Sequence, residues 1–262
     1  MTSLPPHPDA SRFEARLTEA KLRALAEFAA GAGHEINNPV ATIAGHVQLL
    51  LAGETDPERR QALLTIGGQA YRIRDMIGDA MLFARPPQPQ PQAGDLAAAL
   101  RESVQKVLPE AERAGIRMEC RTPAVPVPIW ADPVQLRIVI GSLLKNSLEA
   151  VSRGGEIELQ AAATTLSGGE PAALLTLRDD GAGLSATDRE HLFDPFYSGR
   201  QAGRGLGFGL SKCWRIVTLH GGTIAAESSS GQGVAFTVRW PAVSIPSVVA
   251  ERGVPGESAD SS

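Results

Sequence analysis

Between Arg85 and Gln92 the chain reads Arg-Pro-Pro-Gln-Pro-Gln-Pro-Gln, and this run separates two stretches of different periodicity. Each proline lacks a backbone N–H and fixes φ, so a helix arriving from the N-terminal side stops here. The run itself favours a semi-rigid extended connection. The chain is therefore expected to fold as two bodies, with residues 86–94 as the linker.

Before the linker the pattern is helical. Residues 1–10 are polar and Pro-rich and read as a flexible arm. From Ser11, Leu25, Ala29, Ala32, Ile36, Val40, Ile43, Val47 and Leu50 recur at threes and fours, one apolar stripe on a helix. Gly53-Glu54-Thr55-Asp56-Pro57 breaks it, with Asp56 suited to an N-cap and Pro57 to a first helical position. A second stripe follows through Leu63, Ile66, Ala70, Ile73, Ile77, Met81 and Ala84. Residues 11–85 thus predict a helical hairpin with an apolar stripe on each arm. Burying both stripes needs another layer; a second copy is the simplest supply and gives a dimeric four-helix bundle. Packing against the rest of the chain is the alternative.

After the linker, residues 95–243 mix helix and strand. Helices are expected from Asp95 to Ala114, from Asp132-Pro133 through Leu148, and from Gly209 through Val217. Strands are expected at Ile116–Cys120, Val127–Trp130, Glu156–Thr164, Ala173–Arg178, Thr223–Glu227 and Gly233–Trp240. This is an α+β pattern, a mixed sheet with helices on one face. The stretch from Asp179 to Gly209 is Gly-rich and expected to be mobile, and residues 244–262 read as a disordered tail.

Composition excludes several function classes. Of 262 residues, 43% are hydrophobic, which suits a folded core rather than a disordered chain. The net charge of −4 argues against a dominant nucleic-acid surface. Cys120 and Cys213 have no metal-ligand spacing, and nothing suggests a secreted disulfide scaffold, although sequence alone leaves a bridge between them open. No run of about 18 apolar residues spans a membrane, and the N-terminus lacks a signal-peptide pattern. A cytoplasmic location is the expectation.

Four constellations carry chemistry. In Gly33-His34-Glu35-Ile36-Asn37-Asn38-Pro39, His34 lies two residues from both Ala32 and Ile36, about 200° off the apolar stripe. Asn38 follows on the same face. An imidazole beside the Glu35 carboxylate has the makings of a nucleophile with an attendant base. In Ser142-Leu143-Leu144-Lys145-Asn146-Ser147-Leu148-Glu149-Ala150, Asn146 offers a hard amide oxygen of the kind Mg²⁺ accepts. Asp179-Asp180-Gly181-Ala182-Gly183 places a carboxylate at a strand end, with glycines that admit close backbone approach. Gly203-Arg204-Gly205-Leu206-Gly207-Phe208-Gly209-Leu210-Ser211 opens a helix with free N–H groups and a positive dipole end for phosphate. It is neither a dinucleotide fingerprint nor a P-loop. Between the last two, Leu192-Phe193-Asp194-Pro195-Phe196-Tyr197 supplies aromatics.

Taken in order, these motifs resemble those of the histidine protein kinases of two-component signalling, over about residues 20–242. The resemblance implies a Bergerat-type ATP-binding fold behind a dimerisation and phosphoacceptor hairpin. It implies that His34 accepts the γ-phosphoryl group of ATP, that Glu35 takes the imidazole proton, and that Asn38 orients a water for dephosphorylating a partner. Asn146 would hold Mg²⁺ and Asp179 would read the adenine amine. Gly181, Gly183, Gly203, Gly205, Leu206, Gly207, Gly209 and Leu210 would line the nucleotide, with Lys145 and Arg200 as candidate phosphate cations. The implied partners are a second copy and the receiver domain of a response regulator. No sensing domain is visible before the hairpin, so the signal is expected to come through a separate sensor protein, through the N-terminal arm, or not through this chain; neither direct nucleic-acid binding nor a membrane span is expected. Two positions depart from the family pattern: Ser142 where the family often has Asn, and Phe208 where Leu is usual.

Overall fold

In a computed structural model of the chain, residues 8–197, 207–228 and 231–242 are described. The chain divides into two compact units, Met1–Gln88 with Leu184–Ile216, and Pro89–Gly183 with Val217–Ser262.

In the first unit, α1 (Pro8–Gly53) and α2 (Pro57–Ala84) form the hairpin. Helix α1 begins at Pro8 rather than at Ser11, inside the expected arm, because proline's missing N–H is harmless in a first helical turn. Asp56 caps α2 by accepting from the Arg59 N–H at 2.8 Å, with Pro57 behind it, as the break in the stripe predicts. Antiparallel pairing is fixed by close approaches. A Cβ on Gly33 would lie 2.6 Å from Met81 Sδ, and one on Gly67 would lie 3.0 Å from Val47 Cγ1. Further along, the Gln48 amide donates to Tyr71 Oη at 2.7 Å.

Each stripe is covered only in part within the hairpin. Val40, Val47, Ala70 and Ala84 are buried, whereas Ile43, Leu50, Ile66 and Ile73 remain exposed at 46%, 60%, 49% and 43%. The side chains of Leu25, Ala29 and Ala32 lie outside the described residues. The unit also contains the short helix α5 (Ala186–Glu190) and the start of α6 (Gly209–Leu219).

The second unit opens with β1 (Gln92–Asp95), which pairs antiparallel with β3 (Pro128–Ala131), Gln92 opposite Ala131. The linker is thus shorter than residues 86–94. A ladder needs N–H donors, and these return directly after Pro91. Helix α3 (Leu96–Ala114) starts at the Asp95 cap and ends at Gly115, whose φ of 71° is the left-handed conformation of a helix terminus. Helix α4 (Pro133–Ala150) starts at the Asp132 cap.

The main sheet runs in the order β2-β4-β5-β7-β6, built from β2 (Arg117–Arg121), β4 (Glu156–Thr165), β5 (Pro171–Asp179), β7 (Val234–Pro241) and β6 (Thr223–Ser228). The β2–β4 pair is parallel and the other pairs are antiparallel, the expected mixed sheet. Alternation shows which face is covered. Ile157, Leu159, Leu175, Leu177, Phe236 and Val238 are buried, while Glu158, Gln160 and Thr176 between them are not. Helices α3 and α4 pack on this sheet and on each other. Cys120 and Cys213 are not joined in a disulfide. Among the described residues, no helix is long and apolar enough to cross a membrane. The expected tail, residues 244–262, lies outside the described residues.

Candidate functional site

The second unit brings Asn146, Asp179, Gly181 and Gly183 to one end of the sheet. Asp179 is the last residue of β5 and only 6% exposed. Its Oδ2 accepts from the Ser147 hydroxyl at 2.6 Å, and its Oδ1 accepts from the N–H groups of Gly181 at 3.1 Å and Val234 at 3.3 Å. A carboxylate has about four acceptor positions, so these bonds fix its orientation and leave one position for an incoming donor. Helix α4 supplies Ser147 and, beside it, the half-buried Asn146.

Glycines let the surrounding backbone close in. A Cβ on Gly181 would lie 2.9 Å from the Ala150 carbonyl at the end of α4. One on Gly233, whose φ is 73°, would collide with the Asp179 carbonyl. Asp180 secures the same corner by accepting from the Glu156 N–H at 2.9 Å. Lys145 is exposed on α4.

A further junction lies at the start of α4. Asp132 Oδ1 accepts from the Val134 and Gln135 N–H groups, and its Oδ2 accepts from the Gln90 N–H at 3.0 Å. Its own N–H donates to His220 Nε2 at 3.1 Å. Burial raises this carboxyl, but the N–H donors of Gln90, Gln135 and Val134 and the nearby His220 outweigh that and hold it below its usual value.

The first unit carries the histidine segment. His34, Glu35 and Asn38 all lie on α1, Glu35 and Asn38 with exposed side chains. The side chain of His34 lies outside the described residues. Helix α1 runs on through Pro39, whose missing N–H leaves the Glu35 carbonyl without its usual bond. The Thr42 hydroxyl donates to the neighbouring Asn38 carbonyl at 3.1 Å.

The same unit brings Phe196 and Tyr197, at the end of the aromatic run 192–197, against the described part of the glycine-rich run 203–211, the second glycine box after 179–183. Gly207 has a φ of 75°, and a Cβ there would collide with the Tyr197 carbonyl. Phe196 has a φ of 66°, alone among the described non-glycine residues in lying at positive φ, and such a bulky side chain is strained there. Its ring meets Phe208 edge-on at 4.8 Å, and its own side chain is 61% exposed. The segment before it carries local hydrogen bonds of its own. Ser185 and Asp188 form a capping box at α5, and Tyr197 Oη donates to Asp188 Oδ1 at 2.7 Å. Hydrogen bonds from Ser185 and Tyr197 hold the Asp188 carboxyl below its ordinary value. Gly209 and Leu210 begin α6. Arg200, Gly203, Gly205 and Leu206 lie outside the described residues.

Comparison with known proteins finds two family domains, the second of which includes the stretch Leu184–Ile216 that groups with the hairpin. Residues 24–89 match the His Kinase A (phospho-acceptor) domain, and residues 131–244 match the histidine kinase-, DNA gyrase B- and HSP90-like ATPase. The chain belongs to the histidine protein kinases of two-component signalling. Among curated members of that family, it is 30% identical over 227 residues to the signal transduction histidine-protein kinase AtoS of Escherichia coli K12, an alignment covering 86% of this chain and 36% of AtoS. It is 31% identical over 229 residues to the sensor histidine kinase ZraS of Klebsiella oxytoca, covering 87% of this chain and 48% of ZraS. This histidine kinase chain thus spans between a third and a half of these relatives' length. Two solved structures show the fold. Full-length ShkA in complex with AMPPNP superposes with a TM-score of 0.69 at 24% identity, over 82% of this chain and 45% of that one. Histidine kinase ThkA in complex with the response regulator protein TrrA gives 0.62 at 21% identity, over 92% of this chain and 69% of that one.

Ser147 is the site residue that sequence reasoning missed. The signal was available. Counted in threes and fours along α4, Leu136, Ile140, Leu143, Leu144 and Ser147 make one buried stripe, and a hydroxyl on such a stripe needs a partner.

Proposed function

We propose that this chain phosphorylates its own His34 from MgATP and passes the phosphoryl group to an aspartate on the receiver domain of a response regulator. The observation that carries the reading is the pairing, in one chain, of a phosphoacceptor hairpin bearing His34 with an ATPase-family unit whose Asp179 is locked in place by Ser147. The complexes of ShkA with AMPPNP and of ThkA with TrrA support the nucleotide and the partner class.

Each role follows from the chemistry of the group. Asp179, with one acceptor position remaining, takes a hydrogen bond from the adenine amine, and Gly181 and Gly183 let the base lie close to the backbone. Asn146, half-buried on α4, would offer Mg²⁺ a hard amide oxygen, and an ion bound mainly by phosphates and water needs few protein oxygens. When bound, the ion neutralises charge on the phosphates. In this reading the N–H groups opening α6 at Gly209 and Leu210 and the loop glycines at 203, 205 and 207 receive the phosphates, with Leu206, Lys145 and Arg200 as further candidates for nucleotide contact. At His34, the imidazole nitrogen bonds to the γ-phosphorus as the bond to the bridging oxygen breaks and ADP leaves. Glu35, next along α1, accepts the imidazole proton. Asn38 on the same helix face orients water for the reverse task, hydrolysis of the regulator's aspartyl phosphate.

The exposed apolar stripe of the hairpin supports a homodimer. A cytoplasmic setting completes the reading. Transfer is tested by adding a purified receiver domain to the chain after loading it with label from γ-labelled ATP. Label should leave the chain and appear on the receiver. Label that stays on the chain with every receiver tried contradicts the transfer step.

A further inference from the structure

Lys212 is a charged residue on an apolar stripe. It lies in the first turn of α6, four residues from Phe208 on one side and Ile216 on the other, both buried, and is itself only 8% exposed. Its ammonium donates to the Asp79 carboxylate on α2, within the first unit. A lysine taken out of water needs such a partner. A buried ion pair seldom holds two surfaces together better than apolar packing would; what it adds is selectivity for one register.

The surroundings show which register is selected. Phe83, one turn beyond Asp79 on α2, packs its ring against Phe208 at 5.7 Å, and Ala80, Phe83 and Phe208 form a buried cluster. Asp79 and Phe83 stand two residues either side of Met81, whose Sδ abuts Gly33, the residue before His34. The contact therefore lies within about one helical turn of the histidine's level along the hairpin. Its other side, Phe208 to Lys212, is the chain leaving the second glycine box.

We propose that Asp79 and Lys212 are a positioning pair: with the Phe83–Phe208 contact behind them, they dock the C-terminal end of the glycine box against α2 at the level of His34, the arrangement from which the histidine is phosphorylated. This rests on His34 being the phosphoacceptor. Phe208 then has a role that Leu would fill less well, since an aromatic ring reaches both Phe83 and Phe196.

Lys212→Met keeps the stripe apolar and unfolds nothing that depends on packing, and Asp79, at 35% side-chain exposure, retains access to water. The full chain is compared with K212M, D79N and the double variant for the maximal rate of His34 labelling, the apparent KM for ATP and melting temperature. Each single variant should lose about tenfold in maximal rate with KM changed less than about twofold. The double variant should lose no more than either single one, because a pair acting as a unit is removed only once. K212R, which keeps the charge, should recover much of the rate. A K212M protein that is folded and labels as fast as the wild type, or faster, overturns the proposal, as do losses that multiply in the double variant. A wild-type chain that takes no label at His34 overturns the underlying kinase reading instead.

Discussion

Ser147 donates to Asp179 across 2.6 Å, and that bond ties the last turn of α4 to the end of β5. Ser147→Ala leaves a buried carboxylate short of one partner, which costs about 1–3 kcal/mol. The expected result is a lowered denaturant midpoint and several-fold weaker binding of a fluorescent ATP analogue, without loss of the hairpin. Unchanged nucleotide affinity would separate Ser147 from the site. Residues of this kind are half legible in a sequence. Asp179 stands out because it ends a strand directly before Gly181 and Gly183, a pattern that also reads as a plain turn and gains its meaning from the motifs around it. Ser147 and Lys212 do not stand out by type, since serine and lysine are ordinary surface residues. Only their place on buried stripes reveals that each must have a partner, and the identity of that partner lies far away in the chain, at positions 179 and 79.

At the scale of elements, the helical and strand periodicities carried most of the fold. The hairpin break at Asp56-Pro57, the caps at Asp95 and Asp132 and the alternating strands β4, β5 and β7 all follow local rules. Strand β1 and helix α5 do not. The Gln-Ala-Gly-Asp of β1 has no β-branched or aromatic residue and is a strand because β3 lies alongside it. The five residues of α5 are too few to show a period, and their start is set by the Ser185–Asp188 capping box seen in the fold. The hairpin stripe carries its own prediction. Ile66 is 49% exposed, so Ile66→Glu does little to the isolated hairpin but places a charge in the proposed interface between copies. Sedimentation should show a dimer for the parent chain and a shift toward monomer for I66E at equal concentration. A variant that remains fully dimeric would remove this face from the interface.

For the whole molecule, the order of modules says more than any single motif. A helical hairpin, a proline-rich connection and an α+β unit were each foreseeable from pattern. Their joint purpose came from the succession of His34, Asn146, Asp179 and the glycine-flanked Phe208. Periodicity was silent on how the chain between Leu184 and Ile216 groups with the hairpin rather than with the sheet, because that grouping depends on Phe208, Phe83 and Lys212 meeting across long sequence separations. The central claim is that His34 is the phosphoryl acceptor. Incubating the full chain and its His34→Gln variant with γ-labelled ATP and Mg²⁺ tests it directly. The wild type should acquire an acid-labile, alkali-stable label that H34Q lacks entirely while still binding nucleotide; label of that kind persisting in H34Q would contradict the account.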